Sequence, residues 1–208
     1  MLDVGYLCCP GEPVWYVMHK NNPRTPPIRD DTMATKKTAM FTLTERVTVS
    51  AANTDTFATI DLGSYVDVGD RQALQIHSVD YIVQGTAAST IPATFLAGDA
   101  VIDCQLTDLN RGALVFTNDR AVVSSMRLLF DNSNNSMTKE TDLFPDNFGK
   151  GSDDGRYVVN DQLYITARSS AIAGSNAANI TVRVNASIVT LGAKDFMAIA
   201  IQSTAADN

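Results

Sequence analysis

The chain has 208 residues, 45% of them hydrophobic, a net charge of −7 and a sequence pI near 4.7. That length fits one domain with a self-sufficient core, and no apolar run of about 18 residues marks a transmembrane helix. The acidic balance repels phosphate backbones and excludes a general nucleic-acid binder, while Cys8, Cys9 and Cys104 form neither an even disulfide set nor a zinc-like spacing.

Residues 1–32 carry five of the seven prolines and the single tryptophan, Trp15, with no period of 2 or 3.6. They lack the basic start and apolar stretch of a secretory signal. Met33-Ala34-Thr35-Lys36-Lys37-Thr38 reads as a natural protein start, so residues 1–32 are expected to be an irregular segment upstream of the true initiator, or else a flexible arm. A single β-sandwich domain is expected over 33–208. Residues 1–40 hold five basic side chains against four acidic ones, +1, which leaves −8 for the remainder.

Phe41, Leu43, Val47 and Val49 alternate with threonines and Arg46, the pattern of a half-buried strand. Glu45 falls on the apolar parity. Residues 50–55 read as a turn and 57–62 as a returning strand. In 73–84, Leu74 and Ile76 share one parity and Val79, Tyr81 and Val83 the other, which predicts a β-bulge or a change of sheet near His77-Ser78. Residues 85–98 read as a loop or irregular strand. Ala100, Ile102, Cys104 and Leu106 alternate again. Residues 107–114 are expected to form a short helix capped by Thr107 or Asp108. A strand is predicted over 120–130, then a long polar loop over 131–156. Strands are predicted over 157–167 and 179–191, the latter alternating strictly through Ile180, Val182, Val184, Ala186 and Ile188. Residues 194–202 read either as an edge strand or as a short helix. Seven or eight strands with one or two short helices favour an all-β, antiparallel, jelly-roll-like sandwich.

Chemistry-bearing residues are sparse. His19 and His77 are the two histidines, too few for a metal cluster on a β-barrel. A Ser-His-Asp triad would have to use His77, and no G-x-S-x-G elbow accompanies it. Glu45 reads either as an acid of raised pKa or, preferably, as an inward charge on an edge strand or the partner of a cross-strand Arg. The clusters 131–135 and 153–155 lack EF-hand spacing and read as turns. The sequons at Asn134, Asn179 and Asn185 include two inside a predicted strand. Cys104 reads as a small buried hydrophobe. No phosphate-binding glycine loop is present, and Lys36-Lys37 is too short for a nucleic-acid arm. No catalytic, cofactor-binding or metal residue is therefore assigned, and no cofactor is expected.

A short basic start, 33–38, leads directly into a strand and an acidic body rich in Thr, Ser and Asn, with one long polar loop. This resembles the small single-jelly-roll capsid proteins of viruses, especially DNA viruses of bacteria and archaea. The resemblance covers about residues 33–208 and is architectural. It implies a non-enzymatic structural subunit, made in the host cytoplasm and resident in the virion, that packs against copies of itself and against other capsid proteins. It places assembly contacts in the 131–156 loop, so that deleting 137–151 would spare the fold and abolish assembly. The missing basic arm implies a shell that does not coat the genome directly. The alternative is a ligand-binding β-sandwich, a carbohydrate-binding or virus fibre module, using Tyr65, Tyr157 or Tyr164.

Overall fold

In the computed structural model the described residues are 34–85, 98–134, 136–144, 155–171 and 177–204. The expectations for 1–32 and for the initiator at Met33 lie outside them, as does most of the 85–98 loop. The described strands are β1 (Ala34–Lys36), β2 (Phe41–Val49), β3 (Thr56–Asp61), β4 (Gln72–Gln84), β5 (Ala100–Thr107), β6 (Val122–Asp131), β7 (Ser136–Phe144), β8 (Arg156–Val158), β9 (Gln162–Ser169) and β10 (Ala178–Leu191). One helix, α1 (Ala193–Thr204), follows them.

Two sheets form, and every strand pair in them is antiparallel. In the first, β10 is central. It pairs with β2 and β1 along one side and with β4 along the other, and β8 lies beyond β4. The second runs β3-β9-β5-β6-β7. With the short β1 and the edge strand β7 set aside, strands 2-10-4-8 stand against 3-9-5-6. The chain changes sheet at each connection from β2 to β10 except around β5, β6 and β7. That is the jelly-roll strand order, an antiparallel β-sandwich.

The alternating residues explain the layers. In β2, Leu43, Val47 and Val49 are buried and the intervening threonines are exposed. In β10, Ile180, Val182, Val184 and Ala186 face the opposite sheet, where Ile60, Ile102, Cys104, Leu106, Leu163 and Ile165 meet them. Each fully buried Val, Leu or Ile contributes about 1.5–3 kcal/mol. The predicted bulge is present. Asn185 pairs with Ser78 and Ala186 with Ile76, so His77 is the extra residue and the parity of β4 reverses there. Both parities of β4 can thereby feed the one core.

Near the end of β10 the outward residues Val189 and Leu191 are buried as well. With Ala73, Tyr157, Val159 and Phe196 they form a second cluster beneath α1. Residues 194–202 are therefore helical, and α1 adds a third layer over part of the first sheet.

Several expectations are corrected. The described strands number ten, not seven or eight. Residues 107–114 are not a helix. Thr107 ends β5, Gly112 takes φ 65°, and Asn110 Oδ1 accepts from the Gly112 amide at 3.1 Å, a local turn that competes with helical bonding. Residues 157–167 are not one strand: β8 belongs to the first sheet and β9 to the second. The 131–156 loop contains β7, so a 137–151 deletion would remove most of a strand. Its exposed Ser136 to Glu140 carry no buried apolar parity, and β7 is held by backbone pairing to β6 through the turn in which Asp131 accepts from the Asn134 amide at 3.0 Å.

Candidate functional site

The outward face of the second sheet carries a row of charges. The register sets Arg168 opposite Asp103, Asp103 opposite Arg127, and Arg127 opposite Glu140, on β9, β5, β6 and β7. Asp55, just before β3, grips Arg168 with two bonds of 2.6 Å, Nε to Oδ1 and Nη2 to Oδ2. Arg127 Nε donates to Asp103 Oδ1 at 2.8 Å. Acid and base thus alternate across the whole sheet. Hydrogen bonds and charge from Asp55 and Asp103 raise the pKa values of Arg168 and Arg127 respectively. Solvent screens exposed pairs of this kind, so they add little to stability. Their clearer effect is to fix side-chain orientation.

Residues 109–118 lie over this same face. Gln105 Nε2 donates to the Val115 carbonyl at 2.7 Å, and the Val115 amide donates to Gln105 Oε1 at 3.0 Å. Thr107 Oγ1 donates to the Leu109 carbonyl at 2.9 Å. Gln105, Thr107 and Ser125, which point away from the core, are consequently buried. Between this segment and the sheet is a groove of about 390 Å³ lined by Asp103, Leu114, Phe116, Ser125, Arg127 and Arg168 among others. Phe116 is 87% exposed.

A smaller cleft of about 180 Å³ lies at the junction of 108–121, β8 and α1. There Arg156 Nη2 donates to Asp108 Oδ2 at 3.0 Å and to the Arg120 carbonyl at 2.6 Å. Burial raises the pKa of the Asp108 carboxyl; Arg156 and Arg111 pull the other way.

The sequence candidates sit elsewhere. Glu45 is half-buried on the inward parity of β2, an edge strand, opposite Val182. It is the inward edge charge of the preferred reading. His77 Nε2 is hydrogen-bonded to Ser187 Oγ at 2.8 Å, and Ser187 Oγ donates to Gln75 Oε1 at 3.4 Å. Ser187 is fully buried. Burial and nearby Lys36 lower the His77 pKa. Cys104 is fully buried, and burial followed by Asp103 pushes its thiol pKa far up. Asn179 and Asn185 lie within β10, bonded to Thr48 and Thr42 at 2.8 Å. Among the described residues no group of three or more His, Cys, Asp or Glu could hold a metal ion; residues 153 and 154 lie outside them.

The three tyrosines are not brought together. Tyr157 is buried beneath α1, Tyr65 stacks on Phe41 at 5.4 Å, and Tyr164 lies on the outward face of β9. Sequence reasoning misses the groove at Phe116. The alternation of Asp103, Gln105 and Thr107 signals an outward face, but only the register aligns Asp103 with two arginines.

The sequence matches no protein-family model and no curated protein. Among solved structures the chain is similar to VP1 of Trichodysplasia spinulosa-associated polyomavirus in complex with 3'-sialyllactose, at 10% identity over 76% of this chain and 97% of that one, with a TM-score of 0.41. It is similar to the unassembled pentamer of Merkel cell polyomavirus VP1, at 8% identity over 76% and 98%, TM-score 0.40. It is similar to Turnip yellow mosaic virus, at 12% identity over 74% and 96%, TM-score 0.30. These are single-jelly-roll viral capsid proteins. The jelly-roll assignment of this chain rests on its own strand order.

Proposed function

We propose that this chain is a structural subunit of a viral capsid that self-assembles into a shell through repeated copies of itself. The observation that carries the reading is α1. Its inward side chains, Phe196, Ile199 and Ala200, pack on the sheet. Its outward side chains Met197 and Ile201, 57% and 59% exposed, stand one turn apart beside exposed Ala193 and Ala198, with the single charge of Lys194 on the same side. A helix that carries a second apolar stripe on its outward side has more apolar surface than one core covers, and for α1 a second copy supplies the other wall.

The jelly roll is compatible with this role, because its paired sheets make a stiff block whose loops and edges are left for contacts. The net charge of −7 supports a shell that meets other capsid proteins rather than the genome, and location in the virion follows from the same reading.

Light scattering with negative-stain microscopy of the full chain tests this. Rings, sheets or shells that grow with concentration are expected, and the double variant Met197→Asp, Ile201→Asp should stay monomeric with an unchanged circular dichroism spectrum. A wild-type chain that is monomeric at every concentration and salt would overturn the reading, as would undiminished assembly of the double variant.

A further inference from the structure

The groove beneath Phe116 has the parts of a small-molecule site that shell formation does not require. Its floor holds Ser125, 1% exposed, whose Oγ is buried with no hydrogen-bond partner. A buried hydroxyl without a protein partner is uncommon, and a water or a ligand hydroxyl in the groove would supply one. The walls are Asp103, Arg127 and Arg168. Each is held in place before any ligand arrives, Arg127 by Asp103 and Arg168 by Asp55. Preorganised donors and acceptors lose little freedom on binding.

The rim is aromatic. Phe116 is held out by a braced segment: the Asp119 amide donates to the Phe116 carbonyl at 3.0 Å, Arg111 pairs with Asp119 at 2.9 Å, and Gln105 holds Val115. An exposed ring on a rigid support, beside planar polar groups, suits a ligand with an apolar C–H face and a polar edge. The volume of about 390 Å³ lies within the usual range for small-ligand pockets. Because both arginines are already neutralised by aspartates, the groove offers hydrogen bonds without a surplus of charge.

We propose that this groove binds an uncharged polyhydroxylated ring, a neutral sugar residue, with its C–H face on Phe116 and its hydroxyls directed to Asp103, Arg127 and Ser125. This goes beyond the shell reading and does not depend on it.

Saturation-transfer NMR of the full chain with a panel of neutral mono- and disaccharides, followed by titration of ¹⁵N-labelled protein with the strongest binder, tests the proposal. Amide shifts should cluster at 114–117 and around Ser125 and Arg127. Phe116→Ala should weaken binding at least tenfold, and Ser125→Ala should weaken it several-fold, while Met197→Ala on α1 binds as the wild type does. If no neutral sugar receives saturation transfer, or Phe116→Ala binds undiminished, the proposal falls, and Ser125 is then satisfied by water alone. Binding confined to acidic sugars would overturn the ligand class.

Discussion

Gln105 holds the backbone of Val115 as a neighbouring strand would, its side-chain amide donating to the carbonyl at 2.7 Å and accepting from the amide at 3.0 Å. One side chain thus substitutes for a ladder rung and fixes a crossing segment that has no secondary structure of its own. Gln105→Ala leaves both Val115 groups without that partner. The expected cost is about 0.5–1.5 kcal/mol of stability per bond lost, since Val115 is half-buried and water reaches its freed groups. Urea denaturation measures it, and the Val115 amide should exchange faster with solvent. Unchanged stability together with unchanged exchange would show that the segment is held by other contacts.

Gly155 sits where no side chain fits. Its φ is 156°, and a Cβ there would lie 2.9 Å from the Ile76 carbonyl oxygen. That approach is what lets Arg156 pair with Ile76 in the β4–β8 ladder. Gly155→Ala should therefore destabilise by at least about 1 kcal/mol, seen as a lower denaturation midpoint. Because β8 also delivers Arg156 to Asp108, the variant should loosen the 108–121 segment as well.

Asp108 has a pH signature of definite sign. Burial raises its folded pKa above the ordinary carboxylate value of 3.8. The folded state therefore holds the proton more tightly than the unfolded chain. Its contribution to stability is full below that ordinary value and is lost as pH rises through the raised one. Asp108→Asn has no such dependence. Wild-type stability minus that of Asp108→Asn should fall between about pH 3 and about pH 7, measured by guanidinium denaturation at both ends. A difference that grows with pH would mean that the Arg156 pair outweighs burial.

What the sequence revealed and what it hid have a common physical origin. The strands that bury one face were readable, because Leu43-Val47-Val49 and Ile180-Val182-Val184 keep the core on one parity. The bulge at His77 was readable for the same reason. A strand whose buried residues change parity between Ile76 and Val79 can keep facing one core only by inserting a residue there. β7 was hidden because exposed Ser136, Met137, Thr138, Lys139 and Glu140 owe their conformation to backbone pairing with β6, not to burial. The split between β8 and β9 was hidden because Val158, Val159 and Leu163 are all buried, in walls of different layers. The candidate site was least legible. The row from Asp55 to Glu140 gathers residues far apart in sequence, and Phe116 stands just after turns at Asn110 and Gly112 that follow a residue pair, Thr107-Asp108, with the chemistry of a helix cap.

The central place of β10 has a consequence for the order of events during synthesis. Thr42 on β2 and Asn185 on β10 are hydrogen-bonded across 143 residues of chain. Until β10 leaves the ribosome, β1 and β2 lack the strand they pair with among the described residues, and β4 lacks its longest neighbour. The first sheet therefore closes late, at a high loop-closure cost, and folding is expected to be slow. Since α1 rests on Val189 and Leu191 of that same strand, the outward stripe of the helix takes its place only as the sandwich closes. A nascent chain would thus show its neighbours no ordered helical stripe until its own interior was sealed.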